Sequence, residues 1–215
     1  MYPSFRPTRG LYIDFEGGGS RGEERILSVY WPQLAGAYRF GMLWRGWGDA
    51  PVTLDAFLHM LGTLRCDPDT LEWVVVFSGG TDVPDEQVRF ESIFGERLLA
   101  RAQWVNLHKV MRRSRLLRRS VREAAWARST GGQQRAVNCL ENLEFQFGYV
   151  RPRQLRGHDY QHADGTVGQM EILRLEQEAY ESGSGLAGFE YLIEYCRWDV
   201  ETMFRIARWC DKNTG

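Results

Sequence analysis

No apolar run in the chain approaches the ~18 residues that a membrane-spanning helix needs. Val74-Val75-Val76-Phe77 is only strand-sized. The opening Met1-Tyr2-Pro3-Ser4-Phe5-Arg6 lacks the basic-then-apolar pattern of a secretory signal, so a cytoplasmic protein without a membrane partner is expected. Cysteine is sparse: Cys66, Cys139, Cys196 and Cys210 form no Cys-x-x-Cys, which excludes zinc and iron–sulfur spacings and leaves buried structural thiols. Histidine is equally sparse, and the i,i+4 pair His158 and His162 sits among Gly, Asp and Gln, as in a solvated loop. Gly17-Gly18-Gly19 lacks the Gly-Lys-Ser/Thr ending of a phosphate loop, which argues against nucleoside triphosphate hydrolysis. Ser78-Gly79-Gly80 lacks the Gly-x-Ser-x-Gly elbow, and no Ser-His-Asp set is readable.

Of the 215 residues, 43% are hydrophobic, enough for a substantial core, so wholesale disorder is excluded and one domain over residues 1–215 is expected. The net charge of -1 hides a segregation. Between Asn106 and Arg156 twelve Lys or Arg face three acids, whereas acids dominate from His158 to Glu194 with only Arg174 opposing them.

The first hundred residues read as α/β. Leu11–Glu16, Ile26–Trp31 and Tyr38–Trp44 have strand patterns, and the turn at Pro32 and Gly36 makes them an antiparallel meander. Thr53 is a natural N-cap for a helix carrying Leu54, Phe57, Leu58, Leu61 and Leu64 at helical spacing. Trp73–Phe77 reads as a strand buried on both faces. A helix follows from near Pro84, with Val88, Ile93, Leu98 and Leu99 on its apolar side. Ala102–Leu107 is a short strand, Arg112–Trp126 a basic helix, and Val137–Phe147 and Gln169–Tyr180 two further helices. The last helix, Phe189–Cys210, carries the stripe Phe189, Leu192, Ile193, Cys196, Val200, Met203 and Ala207.

Three acidic segments stand out. Asp14 and Glu16, at i and i+2, share one face of the first strand with Tyr12. Asp82 follows the central strand, just before the helix at Pro84, where it could equally be a first-turn acid favoured by the helix dipole. Tyr195 and Asp199, at i and i+4, share a face of the last helix about a quarter turn from its apolar stripe, so they can line a crevice at the core's edge.

In order and character these segments resemble the tyrosine-type DEDD 3′–5′ exonucleases of the ribonuclease H-like superfamily, more narrowly its predicted exonuclease group. Asp14-Phe15-Glu16 is similar to the family's Asp-x-Glu, and Tyr195-Cys196-Arg197-Trp198-Asp199 to its Tyr-x-x-x-Asp. Asp82-Val83-Pro84 takes the second position without the Asn and Phe often preceding that Asp, and Glu86 or Glu91 are alternatives for that role. Leu140 to Arg151, ending in Phe147-Gly148-Tyr149-Val150-Arg151, is similar to a segment of the same group. The resemblance implies a ribonuclease H-like mixed sheet, an antiparallel meander followed by parallel strands, flanked by helices. It also implies that Asp14, Glu16, Asp82 and Asp199 hold two Mg²⁺ or Mn²⁺ ions while Tyr195 orients the attacking water.

The chemistry fits those residue types. Converging carboxylates repel one another and need cations, hard oxygen ligands suit Mg²⁺ or Mn²⁺, and a phenol with a reference pKa of about 10 positions water better than it deprotonates it. Arg112, Arg113, Arg115, Arg118, Arg119 and Arg122 are candidates for holding the phosphate backbone of DNA or RNA, the alternative being a solvated face paired with Glu171, Glu176, Glu178 and Glu181. Trp44 and Trp47 are candidates for base stacking or for core packing. The expected activity is metal-dependent phosphodiester hydrolysis. The competing readings are a catalytically inactive nucleic-acid-binding or assembly subunit of the same fold, and an acidic-patch protein whose basic stretch docks a protein.

Overall fold

The computed structural model describes residues 5–16, 26–32, 38–44, 52–78, 83–113, 140, 152, 182 and 187–213. Within them the chain is α/β, a five-stranded mixed sheet with helices on both faces. Strands β1 (Gly10–Glu16), β2 (Ile26–Pro32) and β3 (Tyr38–Trp44) form the antiparallel meander that the turn residues predict. Strand β4 (Trp73–Val76) lies parallel to β1 on its other side, and β5 (Gln103–Asn106) lies parallel to β4, giving the order β3-β2-β1-β4-β5.

Strand alternation creates two cores. Leu11, Ile13 and Phe15 of β1 turn to the same side as Leu27, Val29, Val74 and Val76, where they meet helices α1 (Leu54–Thr63) and α2 (Asp85–Phe94). Tyr12 turns the other way, with Tyr30, Trp73, Val75 and Val105, toward α3 (Leu107–Arg113) and the 27-residue helix α4 (Ala187–Asn213). Both faces are therefore covered, which is why β4 reads as Trp-Val-Val-Val with every residue buried.

Helix α4 packs its apolar stripe over β1 and β2. Phe204 sets its ring 5.4 Å from that of Tyr12 and 5.4 Å from that of Tyr30. The Tyr12 hydroxyl donates to the Pro7 carbonyl at 2.9 Å, satisfying a buried polar tip and fixing the 3-10 turn Pro7–Arg9. One end of α4 is placed by Tyr195 and Cys196 against Ile26, which pairs with Glu16. The other end, through Cys210, belongs to the cluster of Phe5 and Trp73, so α4 runs antiparallel to β1.

Several elements differ from the sequence reading. Thr53 caps α1 as expected, accepting from the Ala56 N–H at 3.3 Å, but Leu54 and Leu58 lie 40% and 38% exposed while Met60 joins Phe57 and Leu61 inside. Met60 occupies that position because β3 offers Gly41 there: a Cβ on Gly41 would stand 2.8 Å from the Met60 Cγ and Sδ. Helix α2 stops at Gly95, whose φ of +88° a residue with a Cβ resists, so Leu98 and Leu99 follow the helix instead of extending it. The buried face of α2 is Phe90 and Phe94, both in ring contact with Phe57. Helix α3 begins at Leu107, directly after β5, rather than at Arg112. Pro84 precedes the first turn of α2 as its N-cap residue. Apart from Leu140, the expected helices over 137–147 and 169–180 lie outside the described residues, as does the 114–126 portion of the basic one. Among the described residues no helix is long and apolar enough to cross a membrane.

Candidate metal centre

Asp14 and Glu16 lie near the carboxyl end of β1, on the face that α4 covers. The i and i+2 spacing carries them past Tyr12, the last core residue on that face, so both side chains are half-buried. Asp199 comes from α4. Its position next to Val200, in a stripe pinned to Tyr12 and Tyr30, brings it over the same strand end, where it is only 4% exposed. One carboxylate oxygen from each of Asp14, Glu16 and Asp199 lies within 4.8 Å of the others, a group that could hold a metal ion. The two acidic segments at opposite ends of the chain therefore meet.

The electrostatics of the trio follow from that spacing. Two unit charges ~5 Å apart repel by about 3 kcal/mol at an effective dielectric of about 20. Positive charge, from a basic side chain or a metal ion, is what offsets such repulsion. Three carboxylate oxygens without sulfur or imidazole suit a hard divalent cation such as Mg²⁺ or Mn²⁺. Carboxylate groups of this kind also occur on proteins without an ion, so the trio defines a capacity.

Tyr195, one turn before Asp199, is 4% exposed and packs with Ile26 and Cys196 while Phe40 and Met42 border the cluster. It is thus more deeply set than a crevice-edge position implies. Beneath the trio lies Ser28, directly opposite Asp14 in the β1–β2 register and fully buried. Its hydroxyl donates to the Asp14 carbonyl at 3.3 Å. Sequence reasoning passed over Ser28, although one serine inside Ile-Leu-Ser-Val-Tyr is the signal of a polar requirement on that face.

Asp82 lies outside the described residues. Of its alternatives, Glu86 and Glu91 are not members of the trio. Glu86 is engaged by the Ser78 hydroxyl at the start of α2. Ser78 Oγ also accepts from the Asp85 N–H at 2.8 Å, so this serine acts as a cap for α2. Glu91 accepts from Gln87 Nε2 at 2.7 Å and lines a cleft of about 310 Å³ with Phe90, Glu96 and Trp104. Phe90 and Trp104 belong to the core on the α1–α2 side, away from the face of Asp199.

Arg112 and Arg113 end α3, and Arg115, Arg118, Arg119 and Arg122 lie outside the described residues, as do Gly17-Gly18-Gly19 and Trp47. Cys66, Cys196 and Cys210 are buried free thiols, as their spacing predicts, and Cys139 lies outside the described residues. Burial pushes the Cys66 thiol up to about 12 and the Cys210 thiol up to about 11, which keeps both as unreactive thiols. No family model, curated protein or solved structure matches the chain.

Proposed function

We propose that the chain is a metal-dependent nuclease of ribonuclease H-like fold that hydrolyses phosphodiester bonds in DNA or RNA, as a 3′–5′ exonuclease with two divalent ions. The observation that carries this reading is the convergence of Asp14, Glu16 and Asp199, from the first strand and the last helix, within 4.8 Å. The mixed sheet, a meander followed by parallel strands, supports it as well. So does Tyr195, buried one helical turn from Asp199.

In this reading Asp14, Glu16 and Asp199 hold the ions, with Asp82 as the fourth carboxylate. When bound, divalent ions supply Lewis-acid stabilisation of the phosphoryl oxygens and a water of lowered pKa. Tyr195, fixed by Ile26 and Cys196, orients the attacking water with its hydroxyl. Ser28 keeps the Asp14 backbone in register, so the carboxylate does not drift from its partners. The arginines from Arg112 to Arg122 draw the polyanion toward an otherwise repulsive acidic site.

The test is degradation of end-labelled DNA and RNA in Mg²⁺ or Mn²⁺. Wild type is expected to shorten the strand from its 3′ end, and Asp14→Asn and Asp199→Asn to reduce the rate to background. Equal residual rates in all three proteins would sink the proposal in favour of a non-catalytic subunit of the same fold.

A further inference from the structure

The cleft of about 310 Å³ opens on the side of the sheet away from Asp199, between α2, β5 and the turn that joins them. Its floor is apolar and aromatic. Phe90 and Leu99 lie buried there, and Trp104, half-buried on β5, sets its ring edge-on to Phe90 with centroids 5.6 Å apart. Gly95 brings no side chain to the wall, and a Cβ there would meet nothing within 4 Å, so that side stays open.

The rim is acidic. Glu91, half-buried, and Glu96, exposed, both line the cleft, and no lysine, arginine or histidine does. Gln87 Nε2 donates to Glu91 at 2.7 Å, which orients that carboxylate without neutralising it. Neither glutamate has an ion pair among the described residues. Helix α2 ends here at Gly95 with no basic residue in its last turn, so the negative end of its dipole adds to the two carboxylates.

This combination selects an occupant. Two carboxylates repel phosphates and other anions. A metal ion lacks ligands, because among the described residues no third acid, histidine or cysteine joins Glu91 and Glu96 in a metal-holding group. A guanidinium suits every wall: its plane stacks on an indole, its fork of N–H groups bonds carboxylates, and its alkyl stem lies along apolar surface. The volume stands at the low end of the ~300–1,000 Å³ of small-molecule sites, which favours one long side chain over a larger ligand. The sheet indicates where such a side chain comes from. Strand β5 is last in the order β3-β2-β1-β4-β5, and among the described residues nothing pairs with its outer edge. An extended segment laid along that edge alternates its side chains between faces, and the one beside Trp104 falls on the face of the cleft.

We propose that this cleft docks an arginine carried by an extended segment of a partner protein, the guanidinium lying between Trp104 and the carboxylates of Glu91 and Glu96. The inference is independent of the nuclease reading, since none of these residues belongs to the trio.

Heteronuclear NMR of the full chain reads the cleft at the Trp104 indole N–H, assigned by its loss in Trp104→Phe. The probe is a short capped peptide of serine and threonine with one central arginine. Its controls are the same peptide with citrulline, the neutral isostere, and N-acetylarginine amide alone. The arginine peptide is expected to shift the indole signal saturably, and the citrulline peptide to bind about tenfold more weakly. Glu91→Gln and Glu96→Gln, which keep shape and remove charge, are each expected to weaken the arginine peptide about tenfold and to leave signals remote from the cleft in place. No saturable shift, equal binding of the arginine and citrulline peptides, or indifference to both Gln substitutions overturns the proposal. Equal affinity for the peptide and for N-acetylarginine amide overturns docking of a segment and assigns the cleft to a free guanidinium compound.

Discussion

Burial holds the Glu86 carboxyl above the usual carboxylate range, although the Ser78 hydroxyl bonds to it and pulls the other way. One of its oxygens, Oε2, has no hydrogen-bond partner among the described residues. A carboxyl with a raised folded-state pKa binds its proton more tightly folded than unfolded. Its contribution to stability is fully present below the ordinary glutamate value of about 4.3 and is lost as pH rises through the raised folded value. Glu86→Gln, which keeps the shape and removes the charge, is therefore expected to be more stable than wild type at neutral pH. The advantage should shrink as pH falls, read by urea denaturation at several pH values. A Gln variant less stable at neutral pH would show that the charge at the α2 N-terminus outweighs its burial. The sequence marked Glu86 only as a stand-in for Asp82, because nothing local tells that Ser78, eight residues earlier, reaches it.

Gly95 decides where α2 ends. Its φ of +88° puts the cost of a side chain in the backbone, and an added Cβ would meet nothing within 4 Å. Gly95→Ala should thus lose about 1 kcal/mol in denaturant unfolding with no change in the proposed metal-dependent activity, since no packing is disturbed. A loss several-fold larger would mean that the turn after α2 shifts with it. The same glycine explains a misreading. Val88, Ile93, Leu98 and Leu99 fit one apolar face only if the helix continues through residue 95. The true face, Phe90 and Phe94, pairs with Phe57. The start of α3 was hidden for the opposite reason: β5 passes into it with no glycine or proline between, and the break is made by the Asn106 side chain accepting from His108. The meander and β4 were legible to within a residue or so, because alternation and continuous burial leave direct marks on sequence.

At the scale of the whole molecule, the candidate centre joins residues more than 180 positions apart in the chain. Periodicity relates Asp14 to Glu16 and Tyr195 to Asp199, but only packing relates the pairs, and local pattern carries no register between α4 and β1. Their meeting was expected from resemblance, and its physical cause is the Phe204, Tyr12 and Tyr30 contact that fixes where α4 lies. A cation that binds the folded trio and not the open chain must raise the melting temperature. At a hundredfold excess over Kd the gain is about 2.7 kcal/mol, or about 5–10 °C for a chain of this size. Calorimetry with Mn²⁺ or Mg²⁺ should find that rise in wild type and lose it in Asp14→Asn and Asp199→Asn. An unchanged wild-type melting point at saturating metal would leave the trio without its ion.

Asp199 shares its helix turn with Val200, and Met203 and Phe204 follow on the same rod into the heart of the cluster around Tyr12. To swing that carboxylate away, the protein would have to withdraw a wedge of its own interior. Loosening the acidic corner and melting the scaffold are consequently one event. The corner itself arrives ready-made with the fold.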